Sequence, residues 1–253
     1  MFNQNLKMKK SILVCAALFV SHFAHAQFGG LLKKAEEKVN AVKTGGVGSL
    51  SQDEVGNGLK EALNVGLNEA TQFLSAKDGY FKSPYKILLP EEAKKVVSKL
   101  KMVPAFANVE VDLTERMNRA AEDAAQKAKP IFVAAIKKMS FADAMSILSG
   151  NPDAATRFLE KSTYTALYAE FKPIVQTSLD AVNARSYWKE ATNAYNKIPF
   201  VTKTNPELDD HVTKMALVGL FSLVEQKEKG MRSDSKLRTS DLLKKVFAQQ
   251  DKK

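Results

Sequence analysis

Cysteine is almost missing from this 253-residue chain: Cys15 stands alone, so no disulfide can form within one copy. Histidine is scarce as well, with three residues. Zinc centres draw three or four ligands mainly from these two types, and once the expected removal of an N-terminal signal leaves one His and no Cys, the chain is too poor in donors for a structural zinc site. Eight prolines and 12 glycines are too few for a collagen-like or Pro-rich fibre. Neither phosphate-cradling pattern, G-x-x-x-x-G-K-[ST] or G-x-G-x-x-G, occurs, and the G-x-S-x-G elbow that exposes a serine is absent. The common enzyme chemistries therefore leave no signature. What remains is 45% hydrophobic residues and 38 basic against 28 acidic side chains. That is too apolar for a disordered chain and enough for one large domain or two small ones.

Residues 1–26 read as a secretory signal. Lys7, Lys9 and Lys10 form a positive start, Ser11 to Phe23 an apolar run, and Ala24-His25-Ala26 a small-x-small cleavage pattern. The run falls short of the roughly 20 apolar residues that a membrane-spanning helix needs. Cys15 lies inside it after the bulky Val14, a poor setting for a lipidation site. Cleavage after Ala26 and a periplasmic destination are expected. Processing would remove Cys15, His22, His25 and three lysines, leaving 35 basic to 28 acidic groups, no thiol and one imidazole, His211.

Helical spacing dominates the rest. Phe28, Leu31, Leu32, Ala35, Val39 and Val42 share a face, and Thr44-Gly45-Gly46-Val47-Gly48-Ser49 follows as a linker. Residues 27–49 are thus an amphipathic helix on a Gly-rich tether. A helical domain is expected over 50–247, with a frayed tail at 248–253. Ser51 to Glu54 is a capping box, and the stripe Leu59, Ala62, Leu63, Gly66, Ala70, Phe73 and Leu74 continues to about Ala76. Gly58 and Gly66 within it signal close approach of a neighbouring helix. Pro90 opens another helix. Leu113, Met117, Ala120, Ala121, Ala124 and Ala128 form a tightly packing small-residue stripe. Pro130 ends or kinks it, and Ile131 to Ile136 reads as fully buried. Ser140 and Gly150 bracket a short helix, and Asn151-Pro152 caps the next, with Phe158, Leu159, Ala166 and Ala169 inward until Pro173 punctuates it. Val212 to Val224, apolar nearly all round, is the expected central helix. The fold class is all-α: one bundle of about eight to ten helices.

Several stretches then resemble an uncharacterised bacterial family, domain of unknown function 4197. They are Gly58 to Leu63 with Val65-Gly66, Met117 to Glu122, Phe141 to Ala144 with Ile147-Leu148, Ala216 to Phe221, and Arg238 to Phe247. They occur in order from about Leu50 to Phe247. The resemblance implies an exported helical protein of Gram-negative bacteria and brings no activity, cofactor or catalytic residue with it.

Candidate sites come from the residues alone. Asn118, Arg119 and Glu122 form the most distinctive polar cluster; Asn118 and Glu122 are four apart on one face. They serve either as a ligand edge, with Arg119 holding an anion, or as an inter-helix hydrogen-bond and ion-pair network, and the network is favoured. Glu207 and His211 share a face and would make half a metal site; acids in a helix first turn explain the same residues, and no metal is expected. Tyr164, Tyr168 and Phe171 line a ligand groove or a core. Arg232, Lys236, Arg238, Lys244 and Lys245 are a solvated basic face, with weak attraction to an anionic envelope surface as the alternative. Export and the lack of aromatics in that patch exclude nucleic acid. The expected function is a non-enzymatic periplasmic binding or scaffold protein without cofactor. A carrier of lipid or another apolar ligand between helices comes second, and a carboxylate-dependent hydrolase third.

Overall fold

The computed structural model describes residues 50–100, 108–181, 183–197, 199–205 and 207–248. The segments read as a signal (1–26) and as a helix with linker (27–49), and the tail beyond 248, lie outside these residues. The described chain is all helix and turn. Nine α-helices follow in order: α1 Gln52–Ser75, α2 Glu91–Leu100, α3 Val109–Ala125, α4 Ala128–Lys138, α5 Phe141–Ser149, α6 Ala154–Asp180, α7 Ala184–Asn196, α8 Leu208–Ser233 and α9 Asp241–Phe247.

The local chemistry of the helix ends accounts for several of these bounds. Ser140 accepts from the Asp143 amide while Asp143 reaches back to the Ser140 amide, a reciprocal cap that starts α5. Ser240 caps α9 through the Leu243 amide. The small-residue stripe of α3 is buried as expected: Met117, Ala120, Ala121 and Ala124 are sealed from solvent, and α3 lies along α6. α8 is the central helix, packing against α1, α3, α6 and α7. Phe221 on α8 meets Phe132 on α4 edge to face, with centroids 5.9 Å apart.

Tertiary packing corrects several local expectations. Gly58 does mark a close approach, since a β-carbon there would lie 2.5 Å from Val246 Cγ2 of α9. Gly66 faces only Lys227 Cβ, at 3.6 Å, an ordinary contact. Phe73 belongs to the surface, 48% exposed, with its ring edge-on to Tyr85. The break after α3 falls at Gln126–Lys127, and Pro130 sits in the first turn of α4, where its missing N–H has no intrahelical partner to lose. Pro173 interrupts nothing: α6 runs through it for 27 residues. Both Pro173 and Ala169, whose carbonyl loses its helical donor, are exposed, so water can satisfy that group. Ala166 and Ala169 face outward; the buried stripe of α6 is Leu159, Thr163, Leu167, Phe171, Val175 and Leu179. On α8, Met215 and Val218 are exposed, so that helix is not apolar-buried all round. In α4, Phe132 and Ile136 are buried, Ile131, Val133 and Ala135 are half-buried, and Ala134 is exposed.

Candidate functional site

Asn118, Arg119 and Glu122 project from α3 onto the α1–α2 connection. Asn118 is sealed from solvent and clamps Ile87: its Oδ1 accepts from the Ile87 amide at 2.8 Å, and its Nδ2 donates to the Ile87 carbonyl at 2.8 Å and to Thr114 O at 2.7 Å. The carboxamide thereby replaces the pairing a neighbouring strand would give. Glu122 accepts from the amides of Tyr80 and Phe81, both at 3.1 Å, and through its other oxygen from Arg119 Nη1 at 2.8 Å. Arg119 Nη2 donates to Asp78 Oδ1 at 2.7 Å and Glu115 Oε1 at 3.2 Å, while its guanidinium lies over the Phe81 ring. Asp78 holds the turn with a φ of 72°.

These contacts set the electrostatics. The hydrogen bond from Arg119 holds the Asp78 carboxyl below the usual carboxylate range, with Lys82 helping. Glu122 and then Asp78 push the guanidinium of Arg119 further up. Burial, aided by the charge of Glu122, pushes the Tyr80 phenol up, and that hydroxyl donates to Ala216 O at 2.8 Å. The three residues thus meet a loop rather than a second helix. Their hydrogen bonds go to backbone groups and carboxylates of the protein itself.

A second buried network ties three helix ends together. Glu228 of α8 accepts from the amides of Ala155 and Thr156 at 2.9 and 2.8 Å, capping α6 from outside. That explains why Asp153 makes no side-chain cap there. Arg232 pairs with Glu228 at 2.9 Å and donates to the Ile147 carbonyl at 2.8 Å, at the end of α5. A carboxylate on an N-terminus and a guanidinium on a C-terminus each complement the local dipole. Arg238, read from sequence as part of a solvated face, is 2% exposed and donates to the carbonyls of Met231 and Arg232. Lys236, Lys244 and Lys245 do face solvent.

The remaining candidates separate. Phe171 is core, whereas Tyr164 and Tyr168 stack at 6.4 Å and the Tyr168 hydroxyl donates to Asp210 at 2.5 Å. Asp210 raises the Tyr168 phenol through that bond. His211 Nε2 lies 3.0 Å from the Leu88 carbonyl, and among the described residues no three His, Cys, Asp or Glu side chains gather as metal ligands. No described helix is long and apolar enough to cross a membrane.

The feature that sequence reasoning missed is a groove of about 600 Å3 between α4 and α6. Ile131, Ala134 and Ala135 line one wall; Phe158 and Ala166 line the other. Lys127 and Lys138, which bracket α4, complete the lining together with Pro130 and, on α6, Ser162, Thr163 and Glu170. Its size lies within the range of small-molecule sites, roughly 300–1,000 Å3. The signal in sequence was the apolar run Ile131 to Ile136, set between Lys127, Lys129, Lys137 and Lys138 and too long for one buried face of a short helix.

A family model described as a protein of unknown function (DUF4197) matches residues 49–248, and the chain belongs to that family. No curated protein and no solved structure matches it.

Proposed function

We propose that this member of the family is an exported, non-enzymatic binding protein whose ligand is an apolar molecule laid in the α4–α6 groove. The observation that carries this reading is the groove itself: half-buried Ile131, Ala135 and Phe158 with exposed Ala134 and Ala166, apolar surface that a chain-like ligand would cover. Export rests on the signal-like residues 1–26. The wiring of the carboxylates supports a binding role over hydrolysis. Glu122 and Glu228, among the most buried acids, each accept from two backbone amides and one arginine, which occupies the lone pairs a general base would use.

Native mass spectrometry of the mature protein tests this. An adduct that Ala134→Trp removes, with melting unchanged, is the expected result. A bare protein mass, together with no uptake of N-phenyl-1-naphthylamine, overturns the reading.

A further inference from the structure

The connection between α7 and α8 presents an aromatic ring with no cover. Phe200 has a relative exposure of 108%, beyond that of the residue in an extended peptide, and it holds a φ of 64°, where glycine is favoured. A bulky side chain in that region is strained and needs surrounding structure to hold it. The base of the loop provides that hold. Asn196 Oδ1 accepts from the Thr204 amide at 2.8 Å, and its Nδ2 donates to the Thr204 carbonyl at 2.9 Å. Beside it, buried Trp188 donates through Nε1 to the Asn205 carbonyl at 3.3 Å. The closed base keeps the tip outward.

Charge identifies what the tip meets. Lys197 and Lys203 flank it, both exposed and neither ion-paired with a described residue, and no acid occurs from Asn196 to Asn205. Pro199 and Val201 adjoin the ring in sequence. An aromatic tip between two free cations matches the boundary of an anionic bilayer, where rings enter the acyl edge and lysines meet headgroup phosphates. A peptide groove would supply specific acceptors; a lipid surface needs only this pattern of apolar tip and positive rim. We infer that Phe200 is a membrane-surface anchor that inserts into anionic phospholipid bilayers, with Lys197 and Lys203 on the headgroups. The inference is independent of the α4–α6 groove.

The test uses the full mature chain and vesicles of phosphatidylcholine with or without phosphatidylglycerol. In Phe200→Trp the new indole should shift its emission to shorter wavelength on vesicles containing phosphatidylglycerol, over the constant background of Trp188, the only native tryptophan. Phe200→Ala should bind these vesicles about tenfold more weakly, the scale expected for lost apolar burial. Lys197→Gln and Lys203→Gln should each weaken binding about fivefold, and added salt should abolish that difference. Circular dichroism melting confirms that the variants fold. An unmoved emission, or Phe200→Ala bound as tightly as the parent, overturns the inference. A blue shift that appears without vesicles as protein concentration rises assigns the loop to self-association and overturns it too.

Discussion

Gly219 of α8 and Tyr80 of the α1–α2 loop are in contact so close that no side chain fits between them. A β-carbon on Gly219 would lie 2.9 Å from Tyr80 Cε1, and the Tyr80 hydroxyl donates to Ala216 one turn earlier on the same helix. The loop is thereby seated on α8 from one side while α3 holds it from the other. Gly219→Ala should destabilise the protein by about 1–3 kcal/mol, the usual cost of overpacking. Tyr80→Phe should lose only about 0.5–1.5 kcal/mol, one hydrogen bond. Urea unfolding of the pair checks the order; an unchanged Gly219→Ala protein would show that the loop relaxes freely.

Asn118→Ala strands the amide and carbonyl of buried Ile87. Each orphaned buried group costs about 1–3 kcal/mol. The expected outcome is lower stability together with faster proteolysis in residues 76–90. A ligand-edge residue would instead change binding with stability intact.

Arg119→Ala should cost about 1–3 kcal/mol at neutral pH, between an exposed and a buried pair, because the guanidinium is 27% exposed and the Glu122 side chain only 5%. The pH dependence has a definite sign. Asp78 is held below its ordinary value of 3.8 in the folded state, first by Arg119. Its contribution is therefore complete above that value and is lost as pH falls through the lower folded value. The stability gap between wild type and Arg119→Ala should shrink as pH falls below the ordinary Asp value of 3.8. A constant gap below that value would remove the Asp78 pair from the account.

Glu228→Ala removes the outside cap of α6 and leaves Arg232, nearly buried with side-chain exposure of 9%, without its acid. Breaking such a buried pair costs about 3–5 kcal/mol. The double variant Glu228→Ala, Arg232→Leu should recover part of that loss in thermal melting, since it no longer buries a lone charge.

Much of the fold was legible because helices are local objects. The 3.6-residue stripe of Leu113, Met117, Ala120 and Ala124, the Ser140 cap and the Gly150 stop all lie within a few residues of what they control. The polar cluster was legible as a cluster for the same reason: Asn118, Arg119 and Glu122 are near neighbours on one helix. Its target was not. Ile87 and Asp78 are 31 and 41 residues away from their partners, and no spacing rule connects them.

Apolar runs were the places where sequence misled. Ile131 to Ile136 and the outer residues of α6 carry the same residue types as the core. Hydrophobicity states what a side chain gains on burial, and only a facing element supplies the burial. α4 has such a partner on its Phe132–Ile136 side and an open groove on the other.

The sequence by itself determined that this chain is helical, that it is poor in histidine and cysteine, and which family it belongs to, because backbone periodicity, composition and motif order are properties of residues read along the chain. Only the tertiary structure decided that Arg238 is buried, that Pro173 breaks nothing, that a groove opens beside α4, and that Phe200 stands in solvent. Each of those depends on which distant side chains arrive to fill, pair or leave open the space around a residue, and packing in three dimensions settles that.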